Sequence, residues 1–129
     1  GLYFYYNSNK KISIATDIGY VSEELLNHLK ESSCILLESN YDPEVLKCSS
    51  YPYILKQRIL SDKGHLSNAS AGKTLSNLYN FGLKNALLVH LSKENNFPQL
   101  AYETIKNETL NCKGLCIDIA PRDNPSKLF

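Results

Sequence analysis

The chain has 129 residues, of which 43% are hydrophobic and 21% charged, and its formal net charge at pH 7 is +1. These values are typical of one globular domain with its own core, and they exclude a disordered chain. Because the charge is close to neutral, they also exclude a protein that coats a polyanion with a general basic surface. No apolar run approaches the roughly 20 residues of a membrane-spanning helix, so we expect no membrane partner.

The sequence contains no methionine and begins with Gly1. A translated chain begins with Met, so we expect this one to be processed or to be a piece of a longer protein. Gly1 is followed by Leu-Tyr-Phe-Tyr-Tyr, a run typical of the interior of a β-sheet. We therefore expect that the first residues are not a natural start.

The cysteines lack the second pair or the nearby histidine of a structural zinc site. We expect all of them to be reduced thiols of a cytoplasmic protein, with the first one in the core of a strand. They are Cys34, Cys48, Cys112 and Cys116.

Five strands are predicted. Runs at residues 2–6 and 11–16 are joined by Asn-Ser-Asn-Lys, which favours a β-hairpin. Short continuous apolar runs at residues 34–37, 85–91 and 115–119 are typical of buried strands. Since helices alternate with strands in the later part, we expect an α/β fold with a mixed sheet and helices packed on it.

Helices are predicted between these strands from their starts and stops. Ser22 begins a sequence close to a capping box, and Asp42 followed by proline favours a second, short helix. A helix at residues 52–60 is predicted to bury Ile54, Leu55 and Ile59. Another begins at Ser67 or Asn68, with Gly82 as its stop, and the last spans residues 98–110.

Three polar residues stand at or just past the C-terminal ends of predicted strands, namely Asp17, Glu38 and His90. In α/β sheets this edge collects functional side chains. Taken singly, Asp17 is more typical of a turn, Glu38 fits a solvated strand end equally well, and His65 and His90 are more often structural. Together they fit a metal or acid–base site, because imidazole and carboxylate suit Zn²⁺, Mn²⁺ or Fe. Asp17 and His90 alone are fewer than the three protein ligands of a catalytic zinc.

Four blocks of sequence carry a resemblance to a known family. They are Ala-Thr-Asp-Ile-Gly-Tyr-Val-Ser at residues 15–22, Leu-Glu-Ser-Asn-Tyr-Asp at 37–42, Ile-Leu-Ser-Asp-Lys-Gly-His-Leu-Ser-Asn at 59–68 and His-Leu-Ser-Lys-Glu-Asn-Asn at 90–96. In this order they resemble the C-terminal half of a metallo-β-lactamase-fold hydrolase. The likeness is to the bacterial YycJ/WalJ-like branch, which is related to ribonuclease Z and other phosphodiesterases.

The resemblance implies a role for each position. Asp17 matches the aspartate that bridges two metal ions, and His90 matches the last metal-ligand histidine. His65 resembles the histidine that assists at the scissile phosphate, and Glu38 resembles the acid that orients it. In the two histidine blocks, we expect Ser67, Ser92 and Lys93 to contact the substrate.

The chain departs from this family in one large respect. The hallmark His-x-His-x-Asp-His motif is absent, since the only histidines are His28, His65 and His90. The resemblance therefore implies residues 1–120 as half of an αββα sandwich, with a polar tail at 121–129, and a missing N-terminal half as partner. The two-metal site, for Zn or Mn, would be incomplete.

Two functions follow as hypotheses. The first is a fragment of a metal-dependent phosphodiesterase, a nuclease acting on nucleic acid, that is inactive alone. The alternative is a non-catalytic half-domain that binds a protein or self-associates through its exposed sheet face. Basic residues around the histidine blocks could hold phosphates locally, or equally be solvated surface: Lys56, Arg58, Lys63 and Lys93.

Overall fold

The computed structural model describes residues 2–6, as backbone only, and residues 10–121. The strands are β1 (Leu2–Tyr6), β2 (Lys10–Ala15), β3 (Cys34–Glu38), β4 (Asn85–Val89) and β5 (Cys116–Ile119). The helices are α1 (Glu23–Leu29), α2 (Pro43–Cys48), α3 (Tyr53–Leu60), α4 (Asn68–Tyr79) and α5 (Pro98–Glu108). The predicted turn at residues 7–9 and the tail after residue 121 lie outside the described residues.

The strands form one sheet in the order β1-β2-β3-β4-β5. β1 pairs with β2 in antiparallel fashion, whereas β2, β3, β4 and β5 are parallel neighbours. The predicted mixed sheet is therefore confirmed. The parallel register aligns Ala15 with Leu37 and Leu37 with Leu88, so that β2, β3 and β4 end at the same edge.

One face of the sheet carries the core. Strand residues whose side chains lie on this face, such as Ile35, Leu37 and Leu88, are buried against helices α1, α4 and α5. The alternate residues Ile14 and Leu36 are only half-buried. A strand places successive side chains on opposite faces, so one face is covered by helices and the other is only partly covered. The core side chains contributed by the helices are Leu29, Ala71, Leu75, Leu78, Ala101 and Ile105.

Three of the predicted helix starts are confirmed by capping hydrogen bonds. The Ser22 hydroxyl accepts from the backbone N–H of Leu25 at 3.0 Å, and the Asp42 carboxylate accepts from residues 44 and 45. Of the two alternatives for α4, Ser67 is the cap, because its hydroxyl accepts from the N–H of Ser70 at 3.2 Å. A side-chain oxygen at this position satisfies an N–H that has no partner within the helix.

The predicted inward face of α3 is wrong. None of its residues is buried, Ile54 is 82% exposed and Leu55 is 38% exposed. The sequence pattern gives a helix with an apolar stripe, but α3 packs beside α2 rather than on the sheet. Strand β4 is also shorter than predicted, because His90 has a φ of 62° and ends the extended run at Val89.

Among residues 2–6 and 10–121, none of the helices combines the length and the apolar character needed to traverse a lipid bilayer.

The core assignment can be checked with one buried and one exposed position. We expect Leu75→Ala to lower the free energy of unfolding by about 2–5 kcal/mol, because it leaves a cavity between α4 and the sheet. Ile54→Ala should change it by less than about 0.5 kcal/mol, because Ile54 is almost fully exposed. Urea unfolding followed by circular dichroism measures both. Equal losses for the two variants would contradict the observed burial of α4 and exposure of α3.

Candidate active site

The four polar residues predicted as a site lie together at the carboxyl edge of the sheet. Glu38 is the last residue of β3, Asp17 follows the end of β2, and His90 follows β4 directly. His65 reaches the same point from the loop between α3 and α4. One oxygen or ring nitrogen from each of the four lies within 4.8 Å of the others. The grouping follows from the topology, because the ends of parallel neighbouring strands meet at one edge.

The backbone at this edge is unusual at two of these residues. Asp17 has a φ of 57° and His90 a φ of 62°, in the left-handed region. Glycine adopts such angles without steric cost, whereas a residue with a Cβ carries some strain. A carboxylate and an imidazole therefore stand where backbone geometry alone would favour glycine. This points to a role for the two side chains themselves.

Glu38 is fully buried, and both of its carboxylate oxygens are occupied. Its Oε1 accepts from the N–H of Asp17 at 2.8 Å and lies 2.6 Å from Nδ1 of His90. Its Oε2 accepts from the N–H of Leu66 at 3.1 Å and lies 2.9 Å from Nδ1 of His65. A buried charge is tolerated when it is hydrogen-bonded in this way. A single carboxylate thus connects all three loops of the site.

The contacts of Glu38 determine the tautomers of the two histidines. A carboxylate only accepts hydrogen bonds, so Nδ1 of His65 and Nδ1 of His90 each donate to it. In the neutral rings, Nε2 is then the nitrogen with a free lone pair. Each imidazole can offer that nitrogen to a cation or a substrate, and each is held in orientation by the carboxylate behind it.

Asp17 lies on the open side of the site. Its side chain is 72% exposed, and its Oδ1 is 3.6 Å from Nδ1 of His90 and 3.9 Å from Nδ1 of His65. The two imidazole rings stand edge to face, with centroids 5.3 Å apart. Both are partly exposed, at 33% and 47%. The site is therefore accessible from solvent, and the fully buried Glu38 lies beneath the two partly exposed rings.

A buried amide network lies next to Glu38 and holds the same loops. Asn40 donates from its side chain to the carbonyl of His90 at 2.7 Å and from its backbone to the carbonyl of Leu66 at 2.9 Å. Asn68 and Asn96 exchange side-chain hydrogen bonds of 3.0 and 2.9 Å. Asn96 also donates to the carbonyls of residues 39 and 40. The loops after β3 and β4 and the start of α4 are thereby fixed relative to one another.

The sequence alone does not predict this network. Its pattern indicates Asn68 only as a possible helix cap, although Asn40, Asn68 and Asn96 all lie in the four family blocks. The available signal was three asparagines adjacent to site residues in blocks far apart in sequence. Partner identity could not follow from that signal, because Asn68 and Asn96 are separated by 28 residues.

The predicted substrate-contacting residues stand on these loops, with their hydroxyls already in use. The Ser67 hydroxyl caps α4, and the Ser92 hydroxyl accepts from the N–H of Asn95 at 3.1 Å. Lys93 is exposed in the loop after β4. A role of these three residues toward substrate stays a prediction.

The side chains of the site are of the types that bind divalent cations, but they are too few for a complete two-metal centre. Both oxygens of Glu38 are committed to N–H groups, which leaves Asp17, His65 and His90 to face a cation. Carboxylate oxygen and imidazole nitrogen are ligands for Zn²⁺ and Mn²⁺. A two-metal centre needs more protein ligands than these three residues supply. The described residues therefore fit part of such a centre.

A mixed sheet covered by helices on one face, with a carboxylate–imidazole cluster at its carboxyl edge, has the architecture of half of a metallo-β-lactamase αββα sandwich. No family model matches the chain. It is 37% identical to the exodeoxyribonuclease YycJ of Bacillus anthracis over 112 residues, which are 87% of this chain and 42% of that protein. It is 40% identical to the exodeoxyribonuclease WalJ of Streptococcus pneumoniae over 106 residues, which are 82% and 39% of the two chains.

The chain is thus homologous to proteins of the YycJ/WalJ-like branch of the metallo-β-lactamase fold, as the four sequence blocks predicted. It spans about two fifths of the length of the curated relatives that it matches.

The shared carboxylate can be tested by Glu38→Gln. The amide places an N–H₂ group against donors, so hydrogen bonds to a charged group, worth about 1.5–3 kcal/mol each, are lost. We expect the free energy of unfolding to fall by about 3 kcal/mol. We also expect ¹⁵N NMR to show the Nδ1–H form at both His65 and His90 in the original chain, and a mixture of tautomers in the variant.

The matched control is Glu24→Gln, the same chemical change at an exposed position in the first turn of α1. It should lower the free energy of unfolding by less than about 1 kcal/mol, the size of a helix-dipole interaction, and leave the histidine spectra unchanged. If Glu38→Gln behaved like this control, the proposed dependence of the two tautomers on Glu38 would be wrong.

Proposed function

We propose that this chain is part of a metal-dependent hydrolase that cleaves phosphodiester bonds in nucleic acid. The observation that carries the proposal is the sharing of one buried carboxylate, Glu38, by two imidazoles beside an exposed aspartate. The names of the relatives, both exodeoxyribonucleases, favour DNA as the substrate class. Hydrolysis of a phosphodiester needs charge neutralisation at the phosphate and a positioned proton donor, and this set of groups suits both tasks.

The proposed roles differ between the four residues. Asp17 and His90 would hold divalent metal, Zn or Mn. Bound there, the metal would supply activation of water and neutralisation of the charge on the phosphate oxygens. His65 stands at the scissile phosphate, where its protonated ring can donate to the leaving oxygen. Glu38 is a positioning residue that orients both rings from behind.

Substrate contact is proposed for the loops that carry Ser67, Ser92 and Lys93. The ammonium group of Lys93 can contact a phosphate of the strand. The two serine hydroxyls also order their own loops, so their loss would change loop geometry and substrate contact together.

We further propose that the site is completed by ligands outside this sequence and that the chain alone is inactive. In this proposal residues 1–120 form one half of a sandwich, and the partly covered sheet face with Ile14 and Leu36 packs against the other half. The same half-buried apolar face favours the second candidate, a self-associating or protein-binding half-domain. A cytoplasmic location is proposed from the four free thiols.

Metal binding by the chain tests the proposed ligands directly. We expect calorimetric titration with Zn²⁺ or Mn²⁺ to show weak binding, because fewer ligands are present than in a complete site. Asp17→Asn and His90→Ala should each abolish it, whereas His28→Ala, on α1, should not. Tight stoichiometric binding, or robust DNA cleavage by the pure chain, would contradict an incomplete centre.

Activity is tested in a chimera in which this chain replaces the matched 112 residues of YycJ from Bacillus anthracis. We expect the chimera to degrade DNA and to lose at least about 1000-fold in rate with Asp17→Asn, because charge stabilisation at the phosphate is removed. Glu24→Gln serves as the control and should retain the rate. A folded, metal-loaded chimera without nuclease activity would overturn the proposed function.

A further inference from the structure

A second feature of the site is a cleft whose lining includes Asp17 and His65. It has a volume of about 300 Å³, and its far wall is formed by Leu55, Arg58 and Lys63 from α3 and the loop that follows. It opens directly onto the exposed carboxylate and imidazole of the candidate active site. The roles proposed above involve Asp17 and His65 but neither Arg58 nor Lys63.

The cleft is lined by one carboxylate, Asp17, and by two cations, Arg58 and Lys63. Arg58 and Lys63 are exposed, and within the part of the chain that the structure describes neither side chain forms an ion pair. Two cations on one concave surface attract an anionic group from solution. The planar guanidinium of Arg58 also presents a fork of donors that matches the oxygens of a phosphate. The cleft therefore fits an anionic group of the ligand.

The cationic wall is held tightly against the loop that carries His65. A Cβ added at Gly64 would lie 2.3 Å from the carbonyl oxygen of Ile59 and 2.5 Å from that of Arg58. The N–H of Gly64 donates to the carbonyl of Ser61 at 3.0 Å, and that of His65 donates to the carbonyl of Ile59. Only glycine permits this approach, so the end of α3 and His65 have a fixed relation.

A parallel contact fixes the same loop from the other side. A Cβ at Gly19 would lie 2.2 Å from the carbonyl oxygen of Asp62 and 2.6 Å from that of Ser61. The segment after Asp17 therefore packs directly on the backbone between Arg58 and Lys63. Both walls of the cleft are thus tied by backbone contact, which suits a preformed binding site.

We propose that Arg58 and Lys63 bind a backbone phosphate of the nucleic-acid strand, next to the phosphate that is cleaved at Asp17 and His65. The proposal rests on the proposed function and adds a second phosphate subsite to it. The remaining wall, Leu55 and Ile59, has no side-chain hydrogen-bonding group that could read a base edge. The subsite therefore positions the strand without regard to sequence.

The test is binding of a fluorescent, single-stranded oligothymidylate to the full chain, measured by anisotropy in EDTA at several salt concentrations. Removal of one phosphate contact on a single strand should reduce the slope of log K against log salt by about 0.7. For the double variant R58A/K63A we expect that reduction and about tenfold weaker binding at 0.1 M salt.

The matched control is K84A/K113A, which removes the same charge from two exposed lysines at the opposite edge of the sheet, before β4 and β5. It should change the affinity by less than about twofold. If both double variants weakened binding equally, the binding would depend only on overall charge, and the proposed subsite would be wrong. It would also be wrong if R58A/K63A bound the oligonucleotide as well as the original chain does, or if the original chain did not bind it. Urea unfolding checks that the variants are folded.

Failure of the subsite and failure of the proposed function give different results. The anisotropy measurement contains no metal, and R58A/K63A should leave the metal titration unchanged. His90→Ala should abolish metal binding but retain the affinity for the oligonucleotide in EDTA. If only the expected metal binding is not observed, the proposed function is wrong. If only the expected weaker oligonucleotide binding of R58A/K63A is not observed, the phosphate subsite is wrong.

Discussion

A buried carboxylate is stable only when its oxygens are hydrogen-bonded, and at Glu38 that requirement organises the whole edge of the sheet. Its four partners come from the loop after β2, the loop before α4 and the residue after β4. Each group that donates a hydrogen bond to Glu38 is also held in position by that hydrogen bond. The position of His65, the position of His90 and the course of the backbone at Asp17 therefore depend on one side chain.

The parallel sheet makes this arrangement possible. Because β2, β3 and β4 run in the same direction, the residues that follow them emerge side by side. The amide groups of Asn40, Asn68 and Asn96 then connect these loops behind the imidazoles. A buried network in which each member has partners is rigid, and rigidity is what a site needs to hold side chains in one geometry.

The outer boundary of the site has a different physical basis. On the side of α3 the loops are fixed by glycines that allow carbonyl groups to approach, at Gly19 and Gly64, rather than by side-chain hydrogen bonds. The exposed apolar residues of α3, such as Ile54, show that this helix does not take its position from the core. Arg58 and Lys63 thus lie on the C-terminal end of α3 and the loop that follows it, which are fixed by backbone contacts next to His65.

The sequence by itself determined the order of the strands, the caps at Ser22 and Asp42, and the placement of Asp17, Glu38 and His90 at strand ends, because these features depend on neighbouring residues. It did not determine where β4 ends. It also carried the family blocks, which led to the YycJ/WalJ-like branch. Only the tertiary structure decided that Glu38 serves both histidines, across separations of 27 and 52 residues. It also decided that α3 exposes its apolar stripe. A hydrophobic pattern indicates which side chains prefer burial. Contacts between segments distant in sequence decide which surface can bury them. The same contacts decide which hydrogen-bond donors reach one carboxylate.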